Sequence, residues 1–273
     1  MDEAPVIIAP TITKLPPNAP GAVLVTGSHG GVYPGQLAVA AGVRAVIFHD
    51  AGIGRDEAGI ASLALLAGVG IAAAAVSHLS ARVGDADDMM ARGRISRANA
   101  PAEALGVHAG LACATASKRL RAAAPHHAHL PATEERRSVT RPEGSARALV
   151  LIDSASMVDP LADRGAIVVT GSHGGLVGGD PARALAVDGF GAAYNDAGIG
   201  IERAGIARLP ALDARGIAAL TVAAASARIG EARSTFEDGM VSAVNATAAR
   251  LGARVGDRAQ TVLLAWTRRA EPG

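Results

Sequence analysis

Short apolar runs recur along the chain, separated by stretches whose apolar residues fall at helical spacing. Val6–Ile8, Ala22–Thr26, Ala45–Phe48 and Ile71–Val76 are continuous runs, not the alternating pattern of a half-exposed strand. Between them, Leu37–Gly42 carries helix formers, Glu57–Leu66 places Ile60, Leu63 and Leu66 on one helical face, and Met89–Leu105 reads as a further helix. Apolar runs alternating with helices predict buried parallel strands joined by right-handed crossovers.

The same rhythm returns at Val150–Ile152, Ile167–Thr170, Ala192–Tyr194 and Ile217–Val222, and here the letters return as well. GAVLVTGSHGG from Gly21 is matched by GAIVVTGSHGG from Gly165. DAGIG follows at Asp50 and Asp196, AGIA at Ala58 and Ala204, SARVGDA at Ser80 and SARIGEA at Ser226, then Asn99 and Asn245. The offset is 144 at the first motif and 146 afterwards, so a two-residue insertion lies between the SHGG and DAGIG motifs. The expected architecture is an internally duplicated α/β fold, with parallel-sheet (Rossmann-like) halves related by a pseudo-two-fold axis. The first repeat spans residues 1–113 and the second 147–273. Residues 114–146, rich in Pro, Arg and His, read as a helix end plus an exposed linker. Pro210 is expected to kink or shorten the helix it lies in.

In such sheets, ligands bind at the carboxyl ends of the strands. The repeated polar motifs fall there, which turns a topological expectation into a functional one. Duplication alone says little, since structural residues are copied too.

Each motif admits a chemical and a structural role. In Gly27-Ser28-His29-Gly30-Gly31 and Gly171-Ser172-His173-Gly174-Gly175, glycines at a strand-to-helix turn permit positive φ and close ligand approach. The N–H groups of Gly30, Gly31, Gly174 and Gly175 would then bind an anion. Ser28 and Ser172 would act as nucleophile or hydrogen-bond donor, and His29 and His173 as general acid or base. Neighbouring side chains diverge, so a Ser–His pair would have to form between different loops, or between the two copies. The structural alternative is a tight turn whose Ser caps a helix and whose His packs on the sheet edge.

Asp50 and Asp196 end the second strand of each repeat, where a dinucleotide fold holds its ribose. The G-x-G-x-x-G fingerprint is absent, so no redox cofactor is expected. These aspartates would orient the catalytic groups, or cap the next helix. Arg82 and Arg228 suit a carboxylate clamp, or an ion pair with Asp85 and Glu231. Asn99 and Asn245, poor helix formers on helical stretches, are expected to serve the fold.

The copies differ at His49 against Asn195, Arg55 against Ile201, and Ser77-His78 against Ala223-Ala224. Unequal roles follow as an expectation, with His49 and His78 as secondary site candidates. His29, His49, His78 and Asp50 could gather round a metal, but no H-x-H or H-E-x-x-H spacing supports this and no metal is expected.

Composition narrows the classes. A formal net charge of +1 and 2% aromatic residues give no footprint for nucleic acid. No secretory leader or membrane span is legible, and the single Cys113 reads as a buried, inert thiol, so a cytoplasmic location is expected. Neither Lys14 nor Lys118 is matched in the other copy, which argues against Schiff-base chemistry. Ala- and Gly-rich helices would allow close packing between copies or in a homo-oligomer. Together the residues predict a non-redox enzyme for a small, polar, carboxylate-bearing substrate, with hydrolysis favoured over lyase or isomerase chemistry. The alternative is a non-catalytic module for a nucleotide or phosphorylated metabolite.

Overall fold

The apolar runs form two separate mixed sheets, each mostly parallel, in a computed structural model that describes residues 4–131 and 133–270. The first sheet has the order β1 (Val6–Ala9), β2 (Val23–His29), β3 (Ala45–His49), β4 (Ala72–Val76), β5 (Ile95–Ala98). β1 to β4 are parallel, and β5 is antiparallel to β4. Its faces are covered by α1 (Val32–Ala40) and α2 (Ser62–Gly68) on one side, and by α3 (Ala86–Arg92), α4 (Ala100–Ala104) and α5 (Cys113–Leu120) on the other. Alternate residues of one strand serve the two cores: Leu24 packs with Leu63 and Leu66, while Val23 and Val25 pack with Met89 and Leu120. Burial on both faces is why the runs are continuous in the sequence.

The second sheet has six strands, ordered β11-β10-β9-β8-β7-β6. They are β6 (Arg137–Thr140), β7 (Leu149–Ile152), β8 (Ile167–His173), β9 (Gly191–Asn195), β10 (Ala218–Val222) and β11 (Val241–Val244), with β6 and β11 as antiparallel edges. Its helices are α6 (Arg208–Asp213), α7 (Ala232–Glu237), α8 (Ala246–Arg250) and α9 (Ala259–Thr267). Pro210 sits in the first turn of the short α6, the position where a missing N–H costs least. Among the described residues no helix is long and apolar enough to cross a membrane.

Three expectations about elements are corrected. Met89–Leu105 is not one helix: Gly93 ends α3, and the chain turns back as β5 before α4. The stretch from Glu57 begins with a 3-10 turn at Arg55–Glu57, and α2 starts at Ser62. The bridge carries the expected helix end in α5, but its remainder is more than a linker, adding the edge strand β6 to the second sheet.

Asn99 and Asn245 hold the ends of their sheets together. Asn99 caps α4 by accepting from Ala102 N, also accepts from Ala73 N at 2.9 Å, and donates to the carbonyls of Leu63 and Ile71. Asn245 makes the matching bonds to Ala248, Ala219, Leu209 and Ile217. Both are buried. Asn99→Ala would lose a cap and strand buried backbone donors and acceptors, so a loss of about 2–3 kcal/mol is expected in urea unfolding. Asn99→Asp, which keeps the acceptor but not the donor, should recover part of it.

The halves meet through their DAGIG loops. Arg55 N donates to Ala224 O at 2.8 Å, and Ile201 N donates to His78 O at 2.8 Å. Ala51, Val83, Ala197 and Ile229 form one small apolar cluster across the junction.

Candidate functional site

The SHGG motif is a strand end with a bulge, not a turn after the strand. Val25 pairs with Ile47 but His29 with His49, so four residue steps of β2 match two of β3. The same slip occurs between Val169 and His173 against Ala193 and Asn195. Such bulges re-aim side chains beside sites.

The glycines serve close contact, which corrects the expectation of positive φ. None of the six glycines in the two motifs has a positive φ. A Cβ at Gly27 would lie 2.6 Å from Gly84 C, one at Gly171 2.5 Å from Glu231 N, and one at Gly174 2.5 Å from Gly205 O. The anion cradle is corrected as well, because its four N–H groups are already used. Gly30 N donates to His49 O and Gly174 N to Asn195 O. Gly31 N donates to His29 Nδ1 at 3.1 Å, and Gly175 N to His173 Nδ1 at 3.2 Å.

These last bonds fix the histidine tautomer. With Nδ1 accepting, the ring proton of the neutral form sits on Nε2, and neither Nε2 has a partner among the described residues. Burial, with a smaller contribution from His49, lowers the pKa of His29 to about 4. Burial also holds His173 well below its ordinary value, aided by Arg208 and then His29. Both rings are therefore neutral hydrogen-bond donors at pH 7. Each also reaches toward the opposite half: a Cβ at Gly84 would lie 3.2 Å from His173 Cε1, and one at Gly230 3.5 Å from His29 Cε1.

Ser28, His29, Ser172 and His173 line one cavity of about 960 Å³ built from both halves. The carboxyl ends of β2 and β8 and the loops after β1 and β7 form its floor, and bridge residues 133–136 border it. Strand order within each sheet runs without reversal, so the crevice comes from apposition of the halves rather than from a switch point inside one sheet. Ser28 Oγ accepts from Ile12 N at 3.0 Å and Ser172 Oγ from Ala155 N at 2.9 Å, leaving each hydroxyl proton free to donate. No hydrogen bond joins either serine to either histidine among the described residues.

Two cavity residues escaped the sequence reading. Arg208 is 3% exposed and reaches the cavity from α6. Its guanidinium donates to the carbonyls of Gly175, Arg183 and Ala184 and lies over the Tyr194 ring at 4.9 Å. The signal was there: Arg208 stands where the first repeat has Ser62, a polar difference in otherwise matching AGIA segments. Glu135 lies in the segment expected to be an exposed linker. Burial raises its pKa, with Ser154 and Tyr33 hydrogen bonds working against the rise and Asp153 with it.

The other candidates lie elsewhere. Asp50 and Asp196 do not line the large cavity and do not touch the site histidines. Asp50 Oδ1 accepts from Gly52 N, His78 N and the His78 ring, and Asp196 Oδ1 from Gly198 N and Ala224 N. Burial works to raise the Asp50 carboxyl, but His78 and His49 outweigh it and hold the group below its ordinary value. Neither aspartate caps a helix; both pin the DAGIG loop.

His49 is a structural group. Its Nε2 faces Ala81 O at 3.0 Å and its Nδ1 accepts from Ala51 N at 3.1 Å. Asn195 makes the same pair of bonds, to Ala227 O and from Ala197 N. The His/Asn difference thus conserves hydrogen bonding and gives no sign of divided roles. His78 is occupied by Asp50.

Arg82 is held by Asp85, Asp88 and Glu202, and does not line the cavity. Arg228 does line it, but is paired with Asp56 at 2.7 Å and Glu231 at 3.8 Å. Cys113 is buried, and burial pushes its thiol up to about 12. Among the described residues no group of three or more His, Cys, Asp or Glu side chains is placed to hold a metal.

Comparison with protein-family models, curated proteins and solved structures finds no match to this chain.

Proposed function

We propose that the chain is a non-redox enzyme acting on a small, polar, carboxylate-bearing substrate in the composite cavity. The observation that carries this reading is the pair of unpartnered Nε2–H groups of His29 and His173, one from each half, opening on one cavity. Preorganised donors of this kind stabilise negative charge developing on a substrate oxygen, and a neutral imidazole is suited to that task. The Ser28 and Ser172 hydroxyls add donors or a nucleophile. Glu135, with its pKa raised by burial, is placed to move a proton. Hydrolysis of an amide or ester is favoured, because serine hydroxyls and a carboxylate base accompany the oxyanion donors. Lyase or isomerase chemistry would use the same donors on an enolate.

The halves are read as products of internal duplication about a pseudo-two-fold axis. Paired letters, paired bonds at Asn99 and Asn245, and reciprocal contacts of the DAGIG loops support this.

The test is His29→Ala and His173→Ala, assayed by acid release over a panel of carboxylate-bearing amides, esters and lactones. Each variant is expected to lose about 10²–10³ in kcat. Full activity in both would overturn the reading. The missing Ser–His bond favours a second reading, a non-catalytic module for a nucleotide or phosphorylated metabolite. Thermal stabilisation by nucleotides, but not by small carboxylates or amides, would support that instead.

A further inference from the structure

We propose that the groove beside Asp196, at the junction of the halves, binds a small planar N–H cation of the imidazolium or amidinium kind on the Asp196 carboxylate. The groove is separate from the cavity of His29 and His173, so the proposal stands apart from the enzyme reading.

Its starting point is the difference between His78 and Ala224. In the first half, Asp50 Oδ1 accepts from Gly52 N at 3.0 Å, from His78 N at 2.9 Å and from the His78 ring at 3.0 Å. In the second half, Asp196 Oδ1 accepts from Gly198 N and Ala224 N, each at 2.9 Å. Two of the three bonds are duplicated. The third is not, because the side chain of Ala224 ends at Cβ. Both carboxylates are buried, with Asp50 1% and Asp196 4% exposed. Asp50 has an imidazole beside it, whereas no Lys, Arg or His side chain pairs with Asp196 among the described residues. A buried carboxylate without such a partner is costly.

Where the ring stands in the first half, the second half has the groove. It holds about 470 Å³ and is lined by Asp196, Ala223 and Ala224 of the second half and by Gly52, Gly54 and Arg55 of the first. The walls match as well. A Cβ at Gly198 would lie 2.9 Å from His78 Cδ2, and one at Gly200 3.5 Å from His78 Cβ, so the ring rests on bare backbone of the opposite half. Gly52 and Gly54 are the matching glycines, and a Cβ at Gly54 would lie 3.5 Å from Ala224 Cβ. The second half thus keeps the carboxylate, the two amides that aim it and the glycine wall, and lacks only the ring. A flat cation supplies that group, and its N–H donates to the carboxylate in a charge-assisted bond. The groove is wider than one five-membered ring, so the cation can carry a substituent. Arg55 borders the groove, but its guanidinium is held by Ser226 O at 2.9 Å, Asp238 at 3.3 Å and Asp56 at 3.8 Å. Those carboxylates meet its charge and leave that of Asp196 unmatched.

The probes are imidazole, acetamidinium and its neutral counterpart acetamide, titrated into the full chain and followed by backbone amide NMR. Imidazole and acetamidinium are expected to shift the Gly198 and Ala224 amides saturably, with acetamide about tenfold weaker or undetected. Asp196→Asn keeps an acceptor for both amides and should weaken acetamidinium about tenfold or more. Ala224→His places the side chain of the first half in the groove and should abolish binding. His78→Ala should do the reverse and add a second saturable shift at the amide of residue 78. Equal binding of acetamide, no saturable shift from imidazole or acetamidinium, shifts centred away from Gly198 and Ala224, or undiminished binding in a folded Ala224→His variant would overturn the proposal. Should the variants unfold, the wild-type titrations decide it. No turnover is measured, so failure of this site and failure of the enzyme reading give different results.

Discussion

Lowering the pH from 7 to 5 is expected to remove several kcal/mol of folding stability, seen as a steep fall in the urea midpoint. The cause is the set of three imidazoles held neutral by burial: His29, His49 and His173. For each, the folded pKa lies below the ordinary value of 6.5. The unfolded chain therefore binds protons first as the solution is acidified. The stability they contribute is complete above pH 6.5 and is lost as the pH falls toward the folded value, about 4 for His29. At pH 5 the loss for His29 alone is on the order of 2 kcal/mol, and His49 and His173 add losses of the same sign. Asp50, whose pKa is depressed from 3.8, contributes below this window and not within it.

A control separates this cause from general acid sensitivity. His49→Asn should fold normally at pH 7, because Asn195 already makes the same two bonds in the other half. Its midpoint should then fall less steeply between pH 7 and 5. A slope as steep as the wild type's would remove His49 from the account. Severe instability at pH 7 would show that the ring does more than the amide can.

Much of the fold was legible because buried parallel strands announce themselves. Val23, Leu24 and Val25 are apolar on both faces, and α1, α2 and α3 follow three of the four apolar runs of the first sheet. The missed strands are those for which this signal fails. All four residues of β6, Arg137–Thr140, are exposed, and Val139 alone among them is apolar, so no apolar run marks it. β5 and β11 alternate buried with more exposed positions at sheet edges. For the candidate site, the position of the two Ser-His pairs at the carboxyl ends of strands was legible. Its chemistry was misjudged where the same residue types serve the backbone. Glycine suggested an open cradle, but the N–H groups of Gly30, Gly31, Gly174 and Gly175 are spent within the fold, and Gly27 is small because Gly84 presses on it. Asp50 and His49 looked reactive because sequence cannot show that loop amides already occupy them. Arg208 went unnoticed because its partners, the carbonyls of Gly175, Arg183 and Ala184 and the Tyr194 ring, are set by tertiary packing.

Gly52→Ala and Gly198→Ala are each expected to cost about 2–5 kcal/mol in urea unfolding. At these two positions the halves touch backbone to backbone. Gly52 has φ +74° and Gly198 φ +75°, and a Cβ on either would lie 2.7 or 2.8 Å from the Cα of the other. The loops are already strained: Ala51, Ile53, Ala197 and Ile199 all have positive φ, which a β-branched side chain adopts at a cost. What holds them there is Asp50 and Asp196 bonding the amides of Gly52 and Gly198, and the cross-half bonds from Arg55 N and Ile201 N. A methyl group at the crossing would force the halves apart against those bonds. It would also loosen the cavity, since His29 and His173 each pack against a glycine of the opposite half. The two losses should not add, because both mutations break one contact. The double variant should cost little more than the worse single one, and both singles should become sensitive to proteolysis in the DAGIG loops. Losses below about 0.5 kcal/mol, the range of an ordinary surface substitution, would mean that the glycine crossing does not determine how the halves meet.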